Sequence, residues 1–409
     1  MKKLIFLFII TGTFAAYSQD AQFRGPQRDG KYPDTGLLQK WPDSGPQLIM
    51  SVEGIGLGWS QAVLDNGIIY VTGMIDTIDF LTAIDESGKI IWQKPYGRSW
   101  TKSYPDTRCT PTIDGDKVYV LNGIGQLTCF NSKDGSELWS FDVDKFYESK
   151  WPKWGISESP LIVDDKVIIT PGGDKTTVVA FNKQTGKIVW ESPAIGEVRS
   201  YVSAVIYTYK DFRYILAMTY EHIVAVDPQS GAIIWKYPFN LKKEGSKTIP
   251  VNSPLFKDDE IYLSNGYNYP SMMLKIAEDG KSVSEKWIDN TLDNHHHGLV
   301  LVDGYIYGSN WLSNQAGQWV CLKWETGEVQ YVKDWFNKGP MIYADKRLYI
   351  MDEKNGNVGL VKPAPEGFDL ISTFQLKKEK GEFWAHPSVY DRKLFLRYNN
   401  VLYIYNIAE

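Results

Sequence analysis

TAIDESGKIIW (82–92), TCFNSKDGSELW (128–139), VAFNKQTGKIVW (179–190), VAVDPQSGAIIW (224–235) and LKIAEDGKSVSEKW (274–287) are versions of one pattern. Each runs from an apolar strand through a turn closed by glycine into a second strand that begins at tryptophan. VCLKWETGEVQY (320–331) and GLVKPAPEGFDLI (359–371) repeat it without the Trp. The turn glycines Gly88, Gly135, Gly186, Gly231, Gly280, Gly327 and Gly367 are spaced by 47, 51, 45, 49, 47 and 40 residues. A near-constant period in this range, carried by strand-type segments, predicts a β-propeller with one four-stranded blade per repeat.

Working outward from the second copy, Thr110–Ile113 reads as an inner strand and Asp114-Gly115-Asp116 as a hairpin turn. Lys117–Leu121, Leu127–Asn131 and Glu137–Phe141 then supply the remaining three strands. Hairpin pairs that favour positive φ recur at Asn66-Gly67, Asp164-Asp165, Asp258-Asp259 and Asp303-Gly304. The Trp that starts each outer strand has the size to fill the space between adjacent blades. The eighth copy is cut short: His386–Val389, Lys393–Arg397 and Leu402–Ile407 give three strands, and the chain ends where the fourth is due. Gln47–Val52 is an unassigned strand before the first blade, so it is expected to complete the last blade and remove the open edge. The expected fold is therefore all-β, an eight-bladed propeller of four-stranded antiparallel blades over residues 47–409.

The 409 residues fit one closed ring better than several small domains. A formal charge of −5 without a long basic run excludes nucleic acid as an expected partner. Residues 1–18 carry a basic start at Lys2-Lys3, an apolar run Leu4–Ile10 and small residues Ala16 and Ser18, the pattern of a cleaved secretory signal. No Cys follows for lipidation, and no later segment has the length and apolarity of a transmembrane helix. The expectation is an exported, soluble monomer, periplasmic or secreted and not a lipoprotein. Residues 19–46, rich in Pro, Gly and Asp, read as an extended lead-in across the propeller. Cys109 and Cys129, placed on the first and third strands of one blade, would stand about 9–10 Å apart, beyond disulfide reach. With Cys321 in a distant blade, three free buried thiols are expected.

Function is sought where the repeat is broken, in the loops that feed the inner strands and converge on the central funnel. They contribute Trp59, Arg108, Glu158, Arg199, Tyr201, Asn252, His297, Trp384 and His386 as candidate ligand-binding residues. Polar, titratable and aromatic groups gathered from distant parts of the chain suit a small polar molecule or glycan, with Trp59 and Trp384 as stacking surfaces. Proton abstraction beside a carboxylate would draw on His296, His297 or His386 as base, with Tyr201 and with Arg199 neutralising the acid. The run Asp293-Asn294-His295-His296-His297, if extended, alternates: His295 and His297 face one way and His296 the other. On that reading it supplies no three-ligand site, and no metal site is expected.

VAFNKQTGKIVW and VAVDPQSGAIIW resemble the pyrrolo-quinoline-quinone-type (PQQ-like) propeller repeat, and the likeness runs through essentially the whole chain after residue 18. The segments QFRGPQRDGKYPDTGLLQKWPDSGPQLIM, WGISESPLIVDDKVIITPGG and FWAHPSVYDRKLFLRYNN are similar to secreted single-propeller proteins labelled PQQ-binding-like or polyvinyl-alcohol-dehydrogenase-like. The resemblance implies either PQQ with Ca²⁺ in a quinoprotein dehydrogenase or an envelope protein as partner in an assembly scaffold. Quinoprotein dehydrogenases carry an adjacent Cys-Cys pair, Ca²⁺ ligands and an Asp base. The three cysteines here are scattered and no residue matches those ligands, so no cofactor is assigned.

Overall fold

The computed structural model describes residues 21–150, 152–239, 249–377 and 381–409; the leader assigned to 1–18 lies outside them. Eight four-stranded antiparallel blades form the ring. The second blade has strands Thr112–Asp114, Lys117–Leu121, Gln126–Asn131 and Glu137–Asp142, close to those read from its sequence. Among the described residues helix is confined to Val143–Tyr147, capped by Asp142.

The outer strand of every blade carries a bulge near its start. In the five blades with a Trp, that residue pairs immediately beside the irregularity, as Trp139 does with Cys129 and Trp190 with Ala180. A bulge increases local twist and re-aims a side chain, and here it turns the indole toward the following blade. The next blade's turn glycine lies under the ring. A Cβ on Gly135 would stand 2.7 Å from Trp92, one on Gly186 2.6 Å from Trp139, and one on Gly231 2.5 Å from Trp190. Those glycines have φ of 66°, 67° and 76°, so their lack of a side chain serves both the turn and the contact. Indole and phenol groups also donate across the gap: Trp190 Nε1 to Pro228 O at 3.1 Å, Trp139 Nε1 to Lys183 O at 3.2 Å, and Tyr119 Oη to Lys183 O at 3.0 Å. Gly280 departs from the rule, meeting Phe212 and Tyr214 of the preceding blade rather than its Trp. Gly367, in the most degenerate copy, has nothing within 4 Å of its would-be Cβ.

Gln47–Val52 closes the ring. It pairs antiparallel with Val401–Asn406, from Gln47 opposite Asn406 to Val52 opposite Leu402. Buried Arg397 fastens the same seam, donating to Thr72 O at 2.6 Å and Gly56 O at 2.9 Å in the first blade's region. The three cysteines are free and buried, although Cys109 sits before its inner strand rather than on it.

The lead-in does more than lie across the propeller. Residues 21–32 enter the ring's centre as a loop whose backbone joins the inner strands. Ala21 O accepts from Ile113 N at 3.0 Å and Gly30 O from Tyr343 N at 2.8 Å. Lys31–Tyr32 adds a parallel fifth strand to the blade containing Met341–Ala344. Two arginines of this loop, Arg24 and Arg28, are each only 3% exposed. Arg28 donates to Ser159 O at 3.1 Å and Ala204 O at 3.0 Å, and also to Pro160 O, while Nε reaches Gln22 Oε1 at 2.7 Å. Arg24 donates to Leu299 O and to His386 Nδ1, the latter at 3.2 Å. An axial channel that would otherwise expose strand-end carbonyls is thus stoppered by two guanidinium forks, each with five donors. Burial lowers the pKa of both to about 10, Glu158 opposing the shift at Arg28 and Tyr32 at Arg24, so both stay cationic at neutral pH.

Candidate functional site

Above the stopper the loops feeding the inner strands assemble an aromatic rim. Trp59 and Trp384 meet edge to face at 4.9 Å, and His296 meets Trp384 at 5.0 Å. Tyr104 joins Trp384 at 5.7 Å and Trp154 at 6.5 Å; Trp154 packs on Tyr201 at 5.7 Å. The Arg108 guanidinium lies 5.2 Å from the Trp59 ring centre and donates through Nη2 to Tyr104 O. Its Nη1 is buried without a hydrogen-bond partner. Burial lowers the Arg108 pKa to about 10, against the pull of Tyr201 and Asp106, so it too stays charged.

Not every predicted residue reaches this rim. Arg199 is 1% exposed and pairs with Asp144 of the short helix, with Nε donating to Pro171 O at 3.0 Å. Tyr201, two positions on, faces the rim, where its hydroxyl accepts from Trp154 N at 2.9 Å. The grouping of Arg199 with Tyr201 as catalytic partners is therefore replaced by a structural ion pair and a rim residue. Glu158 is likewise internal, accepting from Thr170 N at 3.1 Å and Thr170 Oγ1 at 2.9 Å. Burial raises its pKa to about 7, with Arg199 opposing the shift. A carboxyl whose folded pKa exceeds its unfolded value of about 4.3 binds more protons when folded, so its contribution to stability falls as pH rises from about 4.3 through 7. Glu158→Gln is expected to gain on wild type by about 3 kcal/mol between pH 5 and pH 9, read from urea midpoints; a pH-independent difference contradicts the assignment.

The histidines are held from several sides. His386 is engaged at both nitrogens: Nδ1 accepts from Arg24, and Nε2 donates to His296 O at 3.1 Å. That tautomer follows from the donor on Arg24 and leaves no free lone pair for a base. Asn252 Nδ2 donates to Asn294 O at 2.6 Å and to His295 O, and its Oδ1 accepts from Gly298 N at 3.2 Å. Met341 N donates to His297 O at 3.3 Å. The run is consequently bent, and the expected alternation is overturned: one ring nitrogen from each of His295, His296 and His297 lies within 4.8 Å of the others. His297 Nε2 is 3.0 Å from Glu353 Oε2. The same carboxylate takes Trp384 Nε1 at 2.7 Å, and its Oε1 meets Lys338 Nζ at 2.7 Å. Burial pushes the Glu353 carboxyl up, but the His297 hydrogen bond and the Lys338 ammonium outweigh it and hold it well below the usual range. Burial keeps His295, His296, His297 and His386 neutral.

The residues do not fit PQQ with Ca²⁺. Cys109 and Cys321 are buried in separate blades, and the thiol pKa values are pushed up to about 12 by burial. Glu353 is consumed by Lys338, His297 and Trp384, and Glu158 by Thr170. The axis itself is filled by the Arg24–Arg28 loop.

A velcro-closed eight-bladed ring with this strand–glycine–tryptophan repeat is a PQQ-like propeller. Residues 79–333 match the family described as outer membrane protein assembly factor BamB, and the chain belongs to that family. An uncharacterized protein of Rickettsia conorii is 23% identical over 287 residues, spanning 65% of this chain and 61% of its own. Quinohemoprotein alcohol dehydrogenase ADH-IIG of Pseudomonas putida is 27% identical over 161 residues, 34% of this chain and 21% of that one. The chain thus matches about three fifths of the first relative and a fifth of the second. Among solved structures, BamB from Moraxella catarrhalis superposes with TM-score 0.66 at 15% identity, covering 88% of this chain and 99% of that one. Quinohemoprotein alcohol dehydrogenase from Comamonas testosteroni gives 0.71 at 13%, covering 97% and 82%. At such identities the likeness is one of fold.

Proposed function

We propose that this propeller works outside the cytoplasm, binding a polar organic ligand such as a saccharide at its funnel mouth, without a quinone cofactor. The leader pattern at residues 1–18 supports export, and among the described residues no helix is long and apolar enough to cross a membrane. The observation that carries the reading is Arg108: a charged guanidinium laid on Trp59, with Nη1 unpartnered, inside a rim of partly exposed aromatic rings. Sugars combine hydroxyl or carboxylate acceptors with apolar ring faces, and such a rim offers both complements. Calorimetric titration against neutral and acidic oligosaccharides is expected to give heat with wild type and at least about tenfold weaker binding with Arg108→Ala or Trp384→Ala. Equal heats for wild type and both variants overturn it.

A second reading, an envelope protein-assembly scaffold, is favoured by large apolar side chains exposed on the funnel-side loops. Tyr104 is 56% exposed, Phe146 51%, Leu312 50% and Phe336 63%. Single exposed apolar residues are ordinary on any surface, so the ligand reading is preferred. A Phe336→Ser, Leu312→Ser variant that loses an envelope partner while keeping the saccharide heat would separate the two.

A further inference from the structure

His295, His296 and His297 form a compact imidazole cluster, with ring centres 4.1 Å, 4.4 Å and 5.9 Å apart. One nitrogen of each lies within 4.8 Å of the other two. Tetrahedral zinc with Zn–N near 2.0–2.1 Å places its nitrogens about 3.3 Å apart, so modest side-chain rotation about an ion closes the difference. The backbone needs no rearrangement, because all four carbonyls of residues 294–297 are already pinned, by Asn252, His386 and Met341 N.

The surroundings resemble a metal centre's outer shell. Glu353 holds His297 through Nε2, which leaves Nδ1 with the lone pair, and that Nδ1 is buried without a partner. His295 Nδ1 is also buried and unpartnered. Unsatisfied buried nitrogens within one cluster are costly, and a cation bound by the cluster would relieve that cost. A carboxylate behind a histidine is the usual device for orienting a ligand and raising its basicity. Lys338 does not oppose this directly, since it engages the other oxygen of Glu353 and Ser313 O at 2.9 Å. His296 is the partly exposed member and faces Trp384 of the rim.

We propose that His295, His296 and His297 bind one divalent first-row transition ion of the zinc class, Glu353 orienting His297 from behind. Three neutral imidazoles suit zinc, copper, nickel or iron rather than calcium or magnesium. Any coordination position left over lies on the His296 side, toward the funnel. The inference stands on the imidazole geometry and is independent of the saccharide reading.

The test uses untagged full-length protein, stripped with a chelator and titrated with Zn²⁺ by calorimetry and with Co²⁺ by visible absorption. One equivalent and the d–d bands of low-coordinate Co²⁺ are expected. His296→Ala and His297→Ala should weaken binding by at least about 100-fold, and Glu353→Gln by about 10–100-fold. His222 sits with Glu197 and Glu221 in a second group able to offer three ligands, so His222→Ala is the control and should retain the equivalent. Melting curves check that each variant folds, and His296→Gln, at the partly exposed ring, serves if His297→Ala does not. No Zn²⁺ uptake by wild type, unchanged affinity in the His296 variants, or loss in His222→Ala overturns the proposal.

Discussion

Arg28→Met is expected to lower the unfolding free energy by about 3–5 kcal/mol. The guanidinium, 3% exposed, serves the carbonyls of Ser159 and Pro160 in one feeder loop and of Ala204 in the next, tying two neighbouring blades at the axis. Methionine fills similar length but donates nothing, so these three carbonyls and Gln22 Oε1 each lose a charge-assisted bond, at about 1–3 kcal/mol apiece. Removing a desolvated cation returns part of that sum. Arg28→Lys keeps the charge without the planar fork and should fall between the two. Urea midpoints with an unchanged slope measure the effect. A loss below about 1 kcal/mol for Arg28→Met would mean that the stopper contributes nothing to holding the ring.

Glu353→Ala should cost a similar about 3–5 kcal/mol, for a different reason. It strands the Lys338 ammonium, whose side chain is 1% exposed, and unpairs His297 Nε2 and Trp384 Nε1 together. If the stranded charge dominates, Lys338→Met in the Glu353→Ala background recovers more than half the loss; additive losses sink that explanation. The pH dependence has a defined sign. The Glu353 pKa is depressed on folding, so its contribution is present above the unfolded value near 4.3 and disappears as pH falls through the lower folded value. The gap between wild type and variant should therefore hold from pH 8 to pH 5 and shrink below about pH 4.

The ring was legible because its determinants are local. A turn glycine with positive φ marks six of the repeats and a bulged Trp five of them, and the missing last strand pointed to Gln47–Val52. The centre was not legible for the opposite reason. QFRGPQRDGK (22–31) has no periodicity, so its loop chemistry read only as an extended lead-in across the propeller, although two arginines among Gly and Pro were a usable sign of a buried fork. Spacing placed Trp59, Arg108, Tyr201, His296 and Trp384 on loops feeding inner strands, and the structure brings these side chains to one mouth. It failed for Arg199 and Glu158, whose side chains turn inward to Asp144 and Thr170. Glu353, Tyr104 and Trp154 escaped notice because their partners lie in other loops, as with Glu353 and His297, 56 residues apart. The histidine run was misjudged because alternation assumes an extended backbone, and Asn252, from the preceding blade's feeder loop, bends it.

The stopper also has a kinetic implication. Arg24 is among the first described residues of the chain, yet its bond to His386 spans 362 positions. Closing a loop of that length costs about 5 kcal/mol of chain entropy, against about 2 kcal/mol for a blade hairpin of a dozen residues. Blades can therefore form one by one as local units, while the axis and the seam wait for both ends of the chain. High contact order of this kind slows folding. Late in folding there should be a species with formed blades and an unsealed ring, its last step the simultaneous docking of residues 21–52.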